Sequence, residues 1–393
     1  MALARHRAGF VVGLVLAAVL ATLVVAPLSG LIVGMAAGPG KVRTYYIAVD
    51  EVEWDYAPLG YNAITGEPFG EEENVFVANG PYTIGSVYVK ALYREYTDAT
   101  FTSLKPRPPE WEHLGALGPL LFAEVGDTIV VEFRNHARFP FTLHPHGVFY
   151  QKDSEGAPYA DGTSGADKED DGVPSGGSHT YVWPVPERAG PGPMEGSSIL
   201  WMYHSHVDEP GDTNAGLVGP IVVAKKGAAR TDGRPSDVHR QFVTMFTVFD
   251  ENRSPYLMEN IETYILQKWW PKITAAQKAS LLESLLEDEA FAESNLMHSI
   301  NGYVFGNLPG LDMYLGERVR WYALGMGTEV DLHTPHWHGN TLVWMGARTD
   351  VIELLPASMK TLDMIADNPG TWLYHCHVND HIDAGMLALF RVS

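Results

Sequence analysis

The chain has little cysteine and little positive charge. Its 393 residues hold one cysteine, Cys376, so no disulfide can form within the chain. Lys and Arg number 27 against 48 Asp and Glu, a formal charge of −21. A polyanionic backbone would be repelled, which excludes nucleic acid as a partner. The same surplus of carboxylates suits solubility, or a small cationic substrate.

Other features are plentiful. Hydrophobic residues make up 46%, enough for packed cores, and 39 glycines and 26 prolines supply turns between many strands. The length predicts two domains. Arg5 and Arg7 precede an uncharged run from Ala8 to Gly40. This run is longer than a signal-peptide core and covers the roughly 20 residues needed to span a bilayer. It is read as a hydrophobic N-terminal helix, either a membrane anchor over residues 8–37 or a cleaved signal with small residues such as Gly34 and Ala36 near the cut. Both readings place the rest of the chain on the extracellular or periplasmic side.

Residues 42–226 read as one β-rich domain. "GDTIVVEFRN" (126–135) and "TYVWPVP" (180–186) are apolar or alternating runs bounded by turn residues. A polar loop covers 154–177, and a charged Gly/Pro-containing segment marks a linker at 227–238. Strand-like runs fill a second domain, 239–393, as at 240–250 and 316–325. Within it, 274–294 reads as an inserted helix: Thr274 and Gln277 form a capping box, and Leu282, Leu285 and Leu286 share a face.

The two halves repeat. "LHPHGVF" (143–149) echoes "PHWHGNT" (335–341), and "WMYHSHVDEPGDTNAGL" (201–217) echoes "WLYHCHVNDHIDAGM" (372–386). Four histidine pairs are common to both copies: His144 with His146, His204 with His206, His336 with His338, and His375 with His377. A second set belongs to the later copy alone. His333, Cys376, His381 and Met386 fall opposite Phe141, Ser205, Pro210 and Leu217. On a strand, residues two apart share a face and the one between points away. Cys376 therefore points away from His375 and His377. Two sites are expected, one inside the second domain and one where the paired histidines gather.

Two imidazoles, a thiolate and a thioether are the ligand set of a blue-copper electron-transfer centre. Eight further imidazoles without a carboxylate exceed the four ligands zinc uses, so several copper ions are expected. Cys376 would link the two sites through its peptide neighbours. The remaining histidines (His6, His113, His136, His179, His239 and His298) lack this spacing and are read as ordinary. The methionines form no Met-rich segment.

HxHG (144–147), HxH (204–206), HxxHxHG (333–339) and HCHxxxHxxxxM (375–386) resemble the motifs of the multicopper oxidase family, in order. Stretches such as "HLGALGPLLFAEVGDTI" and "GTWLYHCHVNDHIDAGM" are similar to ceruloplasmin and hephaestin sequences. The likeness spans roughly residues 85–250 and 295–393. It implies an all-β chain of two cupredoxin-like Greek-key β-sandwiches, as in two-domain laccases. It also implies four copper ions per chain. Type 1 copper would take His333, Cys376, His381 and Met386. Type 2 would take His144 and His336. The type 3 pair would take His146, His204, His206, His338, His375 and His377. The implied reaction is four one-electron oxidations of a small reductant coupled to reduction of dioxygen to two waters. Tyr150, Asp161 and Asp350 resemble groups that lie close to the cluster in two-domain laccases, with the carboxylates as proton relays. Six-domain relatives imply that three two-domain chains form a homotrimer, with each cluster between chains.

The reductant is left open between a phenol and Fe(II) or Cu(I). Asp331, Asp380 and Asp383 flank the type 1 motif and are candidates to hold a metal cation. A two-domain copper nitrite reductase is an alternative, but that class keeps its type 1 cysteine in the first domain, where this chain has Ser205. A non-enzymatic copper-binding protein is a second alternative, and it predicts lost ligands where this sequence has the full set.

Overall fold

The computed structural model describes residues 40–393. The expected N-terminal helix and the candidate anchor at 8–37 lie outside the described residues. Among the described residues, no helix is long and apolar enough to cross a membrane.

Four sheets make two sandwiches. In the first, one sheet runs Val87–Tyr96, Val42–Asp55, Thr128–Asn135, Ser178–Pro184; the other runs Leu121–Glu124, Val218–Ala224, Ser198–His204, His144–Pro145. The second repeats this order with Leu296–Ile300, Arg240–Asp250, Arg318–Gly325 and Met359–Ile365 in one sheet, and Asp312–Met313, Leu387–Val392, Gly370–Cys376 and Pro335–Trp337 in the other. It adds a hairpin, Leu342–Trp344 with Ala347–Thr349, at the edge of its first sheet. In both copies the first strand pairs in parallel with the third in sequence of that sheet and antiparallel with the second. The sequence repeat is thus a repeat of topology.

Strand patterning tells which faces are covered. In Thr128–Asn135, Ile129, Val131 and Phe133 are buried and their neighbours less so, as one covered face requires. Arg240–Asp250 is buried along nearly its whole length because it serves two cores. Phe242, Phe246 and Val248 enter the second sandwich, while Val243, Met245 and Phe249 face the first domain. Ser198–His204 does the same from the other side: Leu200 and Met202 join the shared core and Tyr203 stays within its own sandwich. A one-residue slip would exchange the faces, so the shared core fixes register in both sandwiches. Polar contacts accompany it. Lys90 pairs with Glu251 across the interface, both fully buried, and the Tyr56 hydroxyl donates to the same carboxylate at 2.6 Å. The Val243 N–H donates to His113 Nε2 at 3.0 Å.

The insertion differs from the single helix expected at 274–294. It forms two helices, Ala275–Leu286 and Glu289–Ser294, because the Asp288 side chain caps the second by accepting from the Ala290 N–H. The Thr274–Gln277 capping box forms in both directions. Leu285 is buried and Leu282 partly so, but Leu286 is exposed. A further helical stretch, Leu257–Trp269, precedes it and contains a π-type turn at Ile261–Leu266. Ile261 and Ile265 anchor this stretch in the shared core.

Candidate metal centres

Each copy builds its histidines on the same frame. A long strand ends in the HxH of the later motif, and a short strand carrying the earlier HxH pairs antiparallel with it. His144 lies opposite His204, and His336 opposite His375. The glycine after the earlier HxH of each copy has a positive φ, +77° at Gly147 and +65° at Gly339. A Cβ at Gly147 would lie 2.1 Å from the Trp201 ring, and one at Gly339 would lie 2.7 Å from Trp372. The motif glycines thus let the chain turn directly against the tryptophans that open the later motifs.

Cys376 points into the core of the second sandwich with Trp337, Tyr374 and Met386. His333 and His381 meet it there, and all three are buried. Cys376 Sγ lies 3.5 Å from His381 Nδ1 and 4.0 Å from His333 Nδ1, and the two Nδ1 atoms are 3.2 Å apart. The Thr334 N–H donates to the sulfur at 3.4 Å. Burial pushes the thiol up, but hydrogen bonds from His333, His381 and backbone N–H groups outweigh it and bring it to about 6. The thiolate is the form that binds metal. Met386 is fully buried, with its backbone paired to Cys376 and His381.

Asp331 lies behind His333. Its Oδ1 accepts from His333 Nε2 at 3.1 Å and from the Val248 N–H at 2.7 Å, and its Oδ2 accepts from the Thr328 N–H at 2.7 Å. The carboxylate is buried and committed, so it cannot hold a surface cation. With a metal ion in place of the Nδ1 proton, Asp331 would hold His333 as the tautomer protonated at Nε2, leaving Nδ1 to ligate. Asp380 and Asp383 are exposed on the turn helix Asn379–Asp383 that carries His381.

The paired histidines form two separate quartets. In the first, His146 Nε2 and His204 Nε2 lie 3.1 Å apart, with His144 completing a ligand-like group. The His206 ring is 5.1 Å from that of His144. In the second, His338 Nε2 and His375 Nε2 lie 3.0 Å apart, His336 completes the group, and the His377 ring is 5.4 Å from His336. Backbone carbonyls set the tautomers. His144 Nδ1 donates to Glu155 O at 2.7 Å, His204 Nδ1 to Ser205 O at 3.0 Å, and His375 Nδ1 to Cys376 O at 2.6 Å. Their Nε2 lone pairs then converge on neighbouring nitrogens, an arrangement a cation relieves. Burial lowers His204 to about 3, and His146 and His375 to about 4, which holds these rings in the neutral form that metal ligation requires. Among the described residues, no ring of one quartet contacts a ring of the other; their contacts are internal to each group.

The other candidate site residues have varied surroundings. The Tyr150 ring is 5.8 Å from that of His144. Asp350 Oδ2 lies 3.7 Å from His336 Nε2, on a largely exposed side chain. Asp161 is held within its own loop: hydrogen bonds from the Thr163 N–H and hydroxyl, and after them ion pairs with Lys168 at 3.0 Å and Lys152 at 3.1 Å, hold its carboxyl well below the usual range. His298, read as ordinary from spacing, packs its ring 5.3 Å from that of His381. It comes from strand Leu296–Ile300, and no local spacing signals the contact. The Asp331-x-His333 spacing was the available signal for the buried carboxylate.

A multicopper oxidase family profile matches residues 115–228, and a second multicopper oxidase profile matches 276–393. The chain is 49% identical over 354 residues to human ferroxidase HEPHL1, covering 89% of this chain and 29% of that protein. It is 45% identical over 358 residues to human hephaestin, covering 90% and 30%, and 40% identical over 353 residues to human ceruloplasmin, covering 90% and 32%. The chain therefore spans about a third of the length of these relatives. A solved multicopper oxidase superposes with a TM-score of 0.54 at 18% identity, covering 90% of this chain and 89% of that one. The blue copper oxidase from Nitrosomonas europaea gives 0.52 at 15% identity, covering 90% and 86%. Taken with the cupredoxin-like sandwiches and the repeated histidine motifs, these matches place the chain in the multicopper oxidase family.

Proposed function

We propose that this chain is a copper-dependent oxidase of metal ions, with Fe(II) as the reductant and dioxygen as the acceptor. Bound copper supplies one-electron oxidation at the buried sulfur site and reduction of dioxygen to two waters at the histidine cluster. The donor chemistry fits: a low-pKa thiol, imidazoles of fixed tautomer and a buried thioether favour copper over zinc or hard cations. His333, Cys376, His381 and Met386 would hold one ion. Cys376, bonded on either side to His375 and His377, gives a through-bond path from that site to the second quartet. Tyr150 and Asp350 stand beside His144 and His336, where Asp350 can hold or deliver a proton. Asp161 is occupied by two lysines and is left as a loop-ordering group in this reading.

The observation carrying the assembly is the separation of the quartets. Each chain presents two half-sets of four imidazoles that do not meet, and a head-to-tail ring of copies brings the first quartet of one chain to the second quartet of the next. We infer a homotrimer, by arithmetic from six-domain relatives. It is tested by mixing. A chain lacking His144 and His146 and a chain lacking His336 and His338 are each inactive. Unfolded and reassembled together at equal amounts, they recover roughly a quarter of wild-type activity, the chance that an interface draws both intact halves. No recovery, with a wild-type mass of one chain and full activity, overturns the assembly.

The ferroxidase naming of HEPHL1 and the exposed Asp380 and Asp383 beside His381 favour Fe(II) over a phenol. Oxygen uptake with Fe(II), Cu(I) and a simple phenol, autoxidation subtracted, tests this. D380A/D383A should raise KM for Fe(II) several-fold and leave phenol oxidation unchanged. Equal effects on both, or none, refute the substrate reading.

A further inference from the structure

The first domain lacks the sulfur site, yet its His204 and His206 are presented in the same frame as His375 and His377. The contacts around Ser205 account for this. In the second domain the Thr334 N–H donates to Cys376 Sγ, and the His377 N–H donates to Thr334 Oγ1 at 3.2 Å. In the first, the Thr142 N–H donates to Ser205 Oγ at 3.1 Å, and the His206 N–H donates to Thr142 Oγ1 at 3.0 Å. The serine hydroxyl thus stands where the thiol stands, with the same backbone partner.

A metal ion at Cys376 would tie the strand to the following turn through His381 and Met386. In the first domain a carboxylate makes this tie. Asp212 Oδ2 accepts from Ser205 Oγ at 2.6 Å, from the Val207 N–H at 3.0 Å and from the Asp208 N–H at 3.1 Å. Asp212 is itself buried. It lies on a helix, Glu209–Ala215, that has two residues more between HxH and the closing glycine than the second copy. The same helix is pinned to the other sandwich, where the Asp250 N–H donates to Asn214 Oδ1 at 2.9 Å, and to its own sandwich, where Lys90 Nζ donates to Asn214 O at 2.7 Å. The HxH turn is therefore clamped from strand, helix and domain interface without a metal.

We propose that Asp212, through Ser205, is a positioning residue that replaces a metal ion as the brace holding His204 and His206 in ligating geometry. The carboxylate touches neither imidazole. It orders the peptide units on which both sit, and the helix insertion brings it into reach. This rests on the reading that His204 and His206 hold copper in the cluster. Removing a group that orients ligands from behind lowers metal affinity by about 10–100-fold.

The test uses the copper-loaded full chain, with three substitutions read by spectroscopy and by chelator competition. Asp212→Leu and Ser205→Ala should loosen cluster copper by about 10–100-fold, weaken the near-ultraviolet absorption of coupled copper and expose new paramagnetic copper. The blue thiolate-to-copper band of Cys376 should keep its wavelength and intensity in both. Asp212→Asn retains an oxygen that can accept the same hydrogen bonds and should hold cluster copper within a few-fold of wild type. Ser205→Ala removes one hydroxyl without adding bulk, so it reports even if the leucine variant does not fold. Wild-type cluster copper in Ser205→Ala and in any folded Asp212→Leu overturns the brace. So does a loss of the blue band in parallel with cluster copper. Wild-type chain that binds copper only at Cys376 overturns the underlying assignment of His204 and His206 instead.

Discussion

Replacing Asp331 with alanine isolates the role of a buried carboxylate at the sulfur site. In the native chain its oxygens take hydrogen bonds from His333 Nε2, the Val248 N–H and the Thr328 N–H. Val248 and His333 are buried, so alanine leaves at least two donors without a partner and out of water. Each such donor costs about 1–3 kcal/mol, giving roughly 2–6 kcal/mol of lost stability in the metal-free protein. The imidazole also loses the acceptor that fixes its tautomer, which should weaken copper at Cys376 by about 10–100-fold. Urea unfolding of the metal-free chain reads the first quantity. Titration of the blue band against a chelator reads the second. Asp331→Asn retains one acceptor and should fall between the two. Wild-type stability together with a wild-type blue band in Asp331→Ala would refute the reasoning. A selective loss of Fe(II) oxidation at full copper content would instead show that Asp331 contacts the reductant, against the burial seen here.

Two further outcomes rest on backbone geometry and burial. Gly147→Ala places a methyl against the Trp201 ring at a positive φ. The backbone alone costs about 1–2 kcal/mol and the overlap adds to it, so thermal unfolding should move down and cluster copper should be lost; an unchanged melting temperature refutes this. His113, whose Nε2 accepts from Val243, is held at about 3, chiefly by burial and with Arg107 adding to it. A depressed histidine stabilises the fold fully above its unfolded pKa near 6.5, and that contribution is lost as pH falls from there toward 3. The stability gap between wild type and His113→Gln, measured in urea, should therefore narrow on acidification from pH 7.5 to 4. A constant gap argues against a buried neutral imidazole.

Histidine and cysteine chemistry was legible in the chain because its signals are local. A spacing of two along a strand orients side chains without knowledge of the partner sheet, and the repeat supplied an internal comparison. Strand positions such as 240–250 were legible from their apolar runs, but not the reason for continuous burial. The insertion reads as one helix in the sequence because Asp288 resembles any surface acid, and only the fold shows it capping a second helix. His298 carries no local signal because its neighbour, His381, lies on a different element.

The β class, the two-fold repeat and the set of donor atoms are written in the chain, since period, spacing and residue type belong to it before it folds. Which carboxylates are buried and which face water is set by the packing of the folded chain. It separated Asp331 from Asp380 and Asp383, and it put Asp212 in the place where the second domain would use a metal ion. It also kept the two histidine quartets apart within one chain. These outcomes depend on how sheets, turns and the shared core pack at long range. Burial, hydrogen-bond partner and distance between elements arise only from that packing.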